Sequence, residues 1–193
     1  MKKKLNNQYF ILRHGQTIHQ TRNIKLIYKW PDNPPVKLTK KGEKQIKEAA
    51  KKLKKEKIDL IYSSDIYRTR QTAGIVSKEL GLKVIFDKRL RDINLGIYHG
   101  RPKKEFYQDF PNREERFYKR PSKGESWLDC RKRIISFIKY IDKKYKNKNI
   151  LIISHGDPLW LLEGWAKGLA DKELLRGEKK TTFPNVGELQ KLN

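Results

Sequence analysis

Short, nearly unbroken apolar runs along this chain alternate with longer stretches in which apolar residues return every third or fourth position. The runs at residues 8–12, 58–63, 82–87 and 149–154 read as β-strands. The run at 149–154, NILIIS, is apolar at almost every position, as expected of a central strand covered on both faces. The segment GELQKLN at 187–193 reads as a last edge strand. Helical spacing joins Ile46, Ala49, Ala50 and Leu53 on one face of a helix over 39–57, with Thr39 as its N-cap. A second helix lies within SSDIYRTRQTAGIVSKELG and stops at Gly81, a residue suited to a left-handed C-terminus. A third opens at Ser126, where Asp129 completes a capping-box spacing, and runs to 145 with Ile134, Phe137, Ile138 and Ile141 inward. A fourth begins near Pro158. Prolines exclude helix from 31–35, and 102–123 is irregular apart from a short helix near 103–109. Strands alternating with helices predict an α/β class: a single-domain three-layer α/β/α sandwich with a mostly parallel sheet, over residues 1–193.

Composition narrows the setting. Charged residues (35%) nearly equal hydrophobic ones (36%), yet aromatics at 10% and the apolar runs argue against a disordered chain. No apolar run is long enough for a membrane span, and the basic N-terminus lacks the features of a signal peptide. A single cysteine, Cys130, can form neither an internal disulfide nor a thiolate cluster, which suits a reducing cytoplasm. The net charge of +24 admits nucleic-acid binding. Lysine-rich solvent faces such as KKGEKQIKEAAKKLKKEK explain it more simply, since no zinc-finger spacing or RNA-binding aromatic motif accompanies the charge. A positive field also steers small anionic substrates.

The candidate chemistry sits where strands end. One strand runs into Arg13-His14-Gly15 and another into Ser154-His155-Gly156. Ligands of open α/β sheets bind beyond the carboxyl ends of the strands, so both histidines are expected in one site. A glycine after each histidine lets a ligand approach the main-chain N–H groups. The strand at 58–63 feeds the helix carrying Arg68 and Arg70, whose start faces the same sheet end. Arg70, two residues on, points elsewhere. A metal site from His14, His19, His99 and His155 has no one-face spacing to support it, and neither a GxSxG elbow nor a GxxxxGK loop occurs.

RHGQT, SSDIYRTRQTA, LRDINLGIYHG, GESW and ISHGD together, in this order, resemble the histidine phosphatase superfamily, in its phosphoglycerate-mutase-like branch. The resemblance spans residues 8–160 and implies the following roles. His14 is the nucleophile that carries the phosphoryl group as phosphohistidine. Arg13 and Arg68 bind its equatorial oxygens, joined by His155 and the N–H of Gly156. No cofactor or metal is required, and residues 97–125 fall where this family varies its cap. The aromatic residues Phe106, Tyr107, Phe110, Phe117 and Tyr118 there serve either as a satellite core or as pocket lining.

Two positions depart from the family pattern. The proton donor after Leu-Arg is usually glutamate, and here it is Asp92, one methylene shorter and more acidic in its reference state. Glu105 and Glu125 are the alternative acids. Where Trp-Asn is common after the first motif, this chain has His19 and Gln20, and the Gln20 amide is a candidate phosphate ligand. Ser154 is expected to be a structural hydrogen-bonder. The activity expected is metal-independent hydrolysis of a small phosphorylated metabolite. The alternatives are a phosphoglycerate mutase, for which the chain is short, and a catalytically weak member retained for binding a phosphorylated partner or RNA. Neither substrate identity nor oligomeric state is written in these motifs.

Overall fold

A computed structural model describes residues 2–21, 24–176 and 183–192. Five strands form one sheet: β1 (Gln8–Arg13), β2 (Leu60–Ser63), β3 (Val84–Phe86), β4 (Asn149–Ser154) and β5 (Leu189–Leu192). Their order is β3-β2-β4-β1-β5, parallel throughout except for β5, which runs antiparallel along β1. The helices are α1 (Ile18–Thr21), α2 (Lys40–Lys54), α3 (Tyr67–Leu80), α4 (Lys103–Asp109), α5 (Arg113–Tyr118), α6 (Trp127–Lys144), α7 (Gly156–Ala166) and α8 (Asp171–Leu175). The predicted mostly parallel sandwich is the observed one.

Strand alternation explains why the central runs are apolar throughout. Tyr9, Ile11, Ile150 and Ile152 face one layer, packed against Ile134, Phe137 and Ile141 of α6 and Leu159 and Leu162 of α7. Phe10, Leu12, Leu151 and Ile153 face the other, against Ile46, Ala50 and Leu53 of α2 and Ala73 and Val76 of α3. β1 and β4 are buried on both sides, so period-two polarity has no place in them.

Several boundaries differ from the sequence expectation. α2 stops at Lys54, because Lys57 adopts a left-handed φ of 47° that ends any helical continuation. α7 starts at Gly156 rather than near Pro158, directly after His155. Proline is tolerated there because the first-turn N–H it lacks would have no helical acceptor anyway. The capping box at Ser126 and Asp129 forms as the spacing predicts. Three short helices, α1, α5 and α8, were not anticipated; at four to six residues they are too brief for periodicity to register, although Asn112 caps α5. The aromatics of residues 97–125 divide. Phe106 and Phe110 gather with Tyr98 and Ile27 in a small core of their own, Phe117 joins Trp127 and Trp160, and Tyr107 and Tyr118 stay exposed.

The loop after β1 lies hard against α2. A Cβ added at Gly42 would come within 2.2 Å of the Gln16 carbonyl oxygen, and one added at Gly15 within 2.7 Å of the Gly42 oxygen. Backbone against backbone leaves nothing to rotate away. Gly42→Ala is therefore expected to lower stability by about 1–3 kcal/mol, read as a reduced urea midpoint with an unchanged slope.

Candidate active site

β1 and β4 are neighbours in register, Arg13 opposite Ser154, and the His14 amide donates to the Ser154 carbonyl at 3.1 Å. This ladder brings both histidines to the same sheet edge, with ring centroids 5.4 Å apart. His14 is 1% exposed, and its Nδ1 lies 2.9 Å from the carbonyl oxygen of Gly15. A carbonyl only accepts, so Nδ1 carries the hydrogen and Nε2 keeps its lone pair. Burial, then the charges of Arg68 and Arg13, hold the imidazole pKa well below its ordinary value. His14 is thus a neutral base with one nitrogen available.

His155 is the N-cap residue of α7 and fully buried. Its Nε2 sits 2.9 Å from Ser64 Oγ, which also accepts from the Ile66 amide. If the hydroxyl gives its proton to Nε2, Nδ1 becomes the donor, and Nδ1 has no partner of its own, lying 3.6 Å from Asp92 Oδ2. Burial and nearby arginines push the pKa of His155 down too.

Arg68, in the first turn of α3, is 2% exposed. Its Nη2 donates to Asp92 Oδ2 at 2.8 Å, its Cζ stacks 4.1 Å above the Tyr28 ring, and Nη1 lies 4.0 Å from Asp32. Arg13 donates through Nη1 to the Pro184 carbonyl, and its Nε is unpaired. A Cβ at Gly156 would stand 3.3 Å from Arg13 Cζ, so glycine gives the guanidinium room at the start of α7. Arg13, His14, Arg68, Asp92 and Gly156 line a single cavity of about 620 Å³.

Other residues fall differently. Gln20 borders the cavity, but its amide is engaged: Oε1 accepts from Thr17 N and Oγ1, and Nε2 donates to Tyr28. Of the alternative acids, Glu105 stands outside the lining beside Arg101, and Glu125 is in the wall with its carboxylate gripped by Arg133 and the Asn94 amide. Arg70 points outward, over Phe86. Ser154 donates to the Leu90 carbonyl, the structural task expected of it. His99 ties the Tyr28 carbonyl to the Leu95 amide and lines the cavity. Cys130 is buried, with its thiol pKa pushed up by desolvation, and so is poorly reactive. Among the described residues no three of His, Cys, Asp or Glu are grouped as metal ligands would be.

Sequence reasoning passed over Tyr28, Arg133 and Asp157. Tyr28 and Arg133 act through contacts between distant segments and leave no local motif. Asp157, inside the quoted ISHGD, had only its adjacency to His155 as a signal.

Residues 9–186 match the sequence profile described as the histidine phosphatase superfamily, branch 1. The chain belongs to that superfamily. Phosphoserine phosphatase 1 of Hydrogenobacter thermophilus is 31% identical over 127 residues, covering 63% of this chain and 60% of that protein. The chain thus spans less than two thirds of that relative's length. The probable phosphoglycerate mutase GpmB of Escherichia coli is also 31% identical, over 84% of this chain and 75% of its own. Solved structures share the fold: Bacillus stearothermophilus YhfR (TM-score 0.80, 24% identity, 96% of this chain and 90% of that one). A mycobacterial glucosyl-3-phosphoglycerate phosphatase aligns comparably (TM-score 0.79, 23% identity, 96% and 89%). Among the described residues the chain carries no helix long and apolar enough to cross a membrane.

A buried neutral histidine binds fewer protons than an unfolded one. Folding stability should therefore fall as pH drops below the unfolded histidine value of about 6.5. His14→Asn removes one such group, so its urea midpoint should decline less steeply than wild type between pH 7 and 5 (roughly the histidine range).

Proposed function

We propose that this histidine phosphatase is a metal-independent phosphomonoesterase acting on small phosphorylated metabolites through a phosphohistidine. The observation that carries this reading is the state of His14: neutral, with Nδ1–H fixed on the Gly15 carbonyl and Nε2 free beside two arginines. Nε2 attacks phosphorus, the P–N bond forms and the ester P–O bond breaks. The leaving oxygen takes a proton from Asp92. A water then returns a proton to Asp92 as it attacks phosphorus, the P–N bond breaks and inorganic phosphate leaves. Arg13, Arg68, the His155 Nδ1–H and the Gly156 amide at the N-terminus of α7 meet the equatorial oxygens throughout. Gln20 contributes by holding Thr17 and Tyr28 at the rim.

The cavity's outer wall supports an anionic substrate. Lys29, Lys88 and Lys103 line it without an ion-pair partner among the described residues. Those of the relatives whose names specify a phosphatase, for phosphoserine and glucosyl-3-phosphoglycerate, carry small-metabolite names. A single cysteine, buried and unpaired, suits the reducing cytoplasm.

Hydrolysis of p-nitrophenyl phosphate with EDTA present tests the reading. Wild type should turn over and His14→Ala should be inactive. Arg68→Ala should lose about 10²–10³-fold in kcat, and Asp92→Asn about 10²-fold or more on an alkyl phosphate. Full activity in Asp92→Asn would remove it from the donor role. Wild-type silence across a panel of natural phosphate esters, with orthovanadate still bound, would favour a binding role.

A further inference from the structure

Both residues that break the family pattern after the first motif, His19 and Gln20, are turned to Tyr28. The His19 ring stacks on the Tyr28 ring, with centroids 4.0 Å apart and planes 21° apart. Gln20, Thr17 and Tyr28 close a ring of hydrogen bonds. Gln20 Nε2 donates to the phenol oxygen at 3.0 Å, and Thr17 Oγ1 donates to Gln20 Oε1 at 2.8 Å. The Thr17 hydroxyl has one hydrogen, so its 2.9 Å contact with the phenol is donated by Tyr28. The Tyr28 carbonyl accepts from His99 Nδ1 at 2.8 Å. Ring, hydroxyl and carbonyl are all held, although Tyr28 lies outside any helix or strand.

This fixed ring faces Arg68, whose Cζ lies 4.1 Å from its centroid. Arg68 is 2% exposed and otherwise thinly supported. Its Nε has no partner, its Nη1 is 4.0 Å from Asp32, and its close carboxylate is Asp92, 2.8 Å from Nη2. In the reaction above Asp92 gives up and regains a proton, so the charge opposite Nη2 alternates within a turnover. The negative face of an aromatic ring does not alternate, and it attracts a desolvated guanidinium most strongly. We propose that Tyr28 is the positioning residue of Arg68: its ring face holds the guanidinium at the phosphoryl site, and His19, Thr17, Gln20 and His99 hold the ring. The inference rests on the phosphatase reading, which makes Arg68 a phosphoryl ligand. Tyr28 itself is no such ligand, because its one hydroxyl hydrogen is given to Thr17 and none remains for a phosphoryl oxygen. His19 and Gln20 thereby act on the phosphoryl group through Tyr28 and Arg68, without touching it.

The test reads anion binding and turnover separately in full-length protein. Orthovanadate is titrated by calorimetry into wild type, Tyr28→Phe and Tyr28→Leu. Tyr28→Phe keeps the ring face and should bind within about threefold of wild type, whereas Tyr28→Leu should bind about tenfold more weakly. Equal weakening in both would assign the effect to the hydroxyl and overturn the proposal. Tyr28→Phe also guards against a folding defect in Tyr28→Leu, since a tenfold loss in Tyr28→Phe overturns the proposal by itself. Arg68→Ala completes a double-mutant cycle on the same binding. With no guanidinium left to hold, adding Tyr28→Leu should cost less than about twofold more. Additive losses would mean a merely structural role and overturn the proposal. In turnover, kcat/KM of Tyr28→Leu should fall by the same factor on p-nitrophenyl phosphate and on phenyl phosphate, because Arg68 meets the phosphoryl group common to both. A loss confined to one ester would make Tyr28 a wall for the leaving group instead. Vanadate binding needs no turnover, so the cycle judges Tyr28 separately, while activity in His14→Ala would overturn the phosphohistidine reading alone.

Discussion

The register between β1 and β4 governs the site. Arg13 pairs with Ser154, and the His14 amide reaches the Ser154 carbonyl, so each strand releases its histidine at the same height above the sheet. Slipping the pair by one residue would exchange the faces of Phe10 and Ile11 and of Leu151 and Ile152, setting both layers' cores against the wrong helices. The apolar contacts that hold the sheet together therefore also hold the histidine rings 5.4 Å apart. Everything nearer the chemistry is added to that edge: α3 brings Arg68 and α7 brings Gly156 and Asp157.

Burying two guanidiniums beside two imidazoles is costly unless the charge is distributed. The molecule does this asymmetrically. Arg68 meets Asp92 directly and Asp32 at longer range, with the Tyr28 face against its plane, whereas Arg13 has a backbone carbonyl and an unpaired Nε. The histidines take no share of positive charge, because desolvation and the arginines keep them neutral. Neutrality leaves His14 Nε2 its lone pair, the state that the proposed nucleophile requires, and Arg13 and His155 each keep an unpaired nitrogen.

Residues 97–125 contribute to the cavity lining with little local signal. Tyr98, Phe106, Phe110 and Ile27 build a small core from segments far apart in the chain, and His99 ties two of those segments together. Lysines account for most of the +24 charge, and those on α2 are exposed. Those lining the cavity give it a positive mouth, as substrate steering needs.

By itself the sequence determined the layers, the strand order's parallel character and the pairing of two His-Gly strand ends, because burial on both faces and helical periodicity are local patterns that leave little choice. It also marked Arg13, His14, Arg68 and His155, whose motifs are contiguous. Only the tertiary structure decided which acids face the cavity. Glu105 lies outside the cavity and Glu125 is spent on Arg133, while Asp157 enters it because α7 begins two residues earlier than its proline suggests. The function of a carboxyl depends on what stands across a cavity from it. Contacts such as Arg68 with Asp92, or Trp127 with Asp157, join residues 24 and 30 positions apart, a distance over which no spacing rule acts.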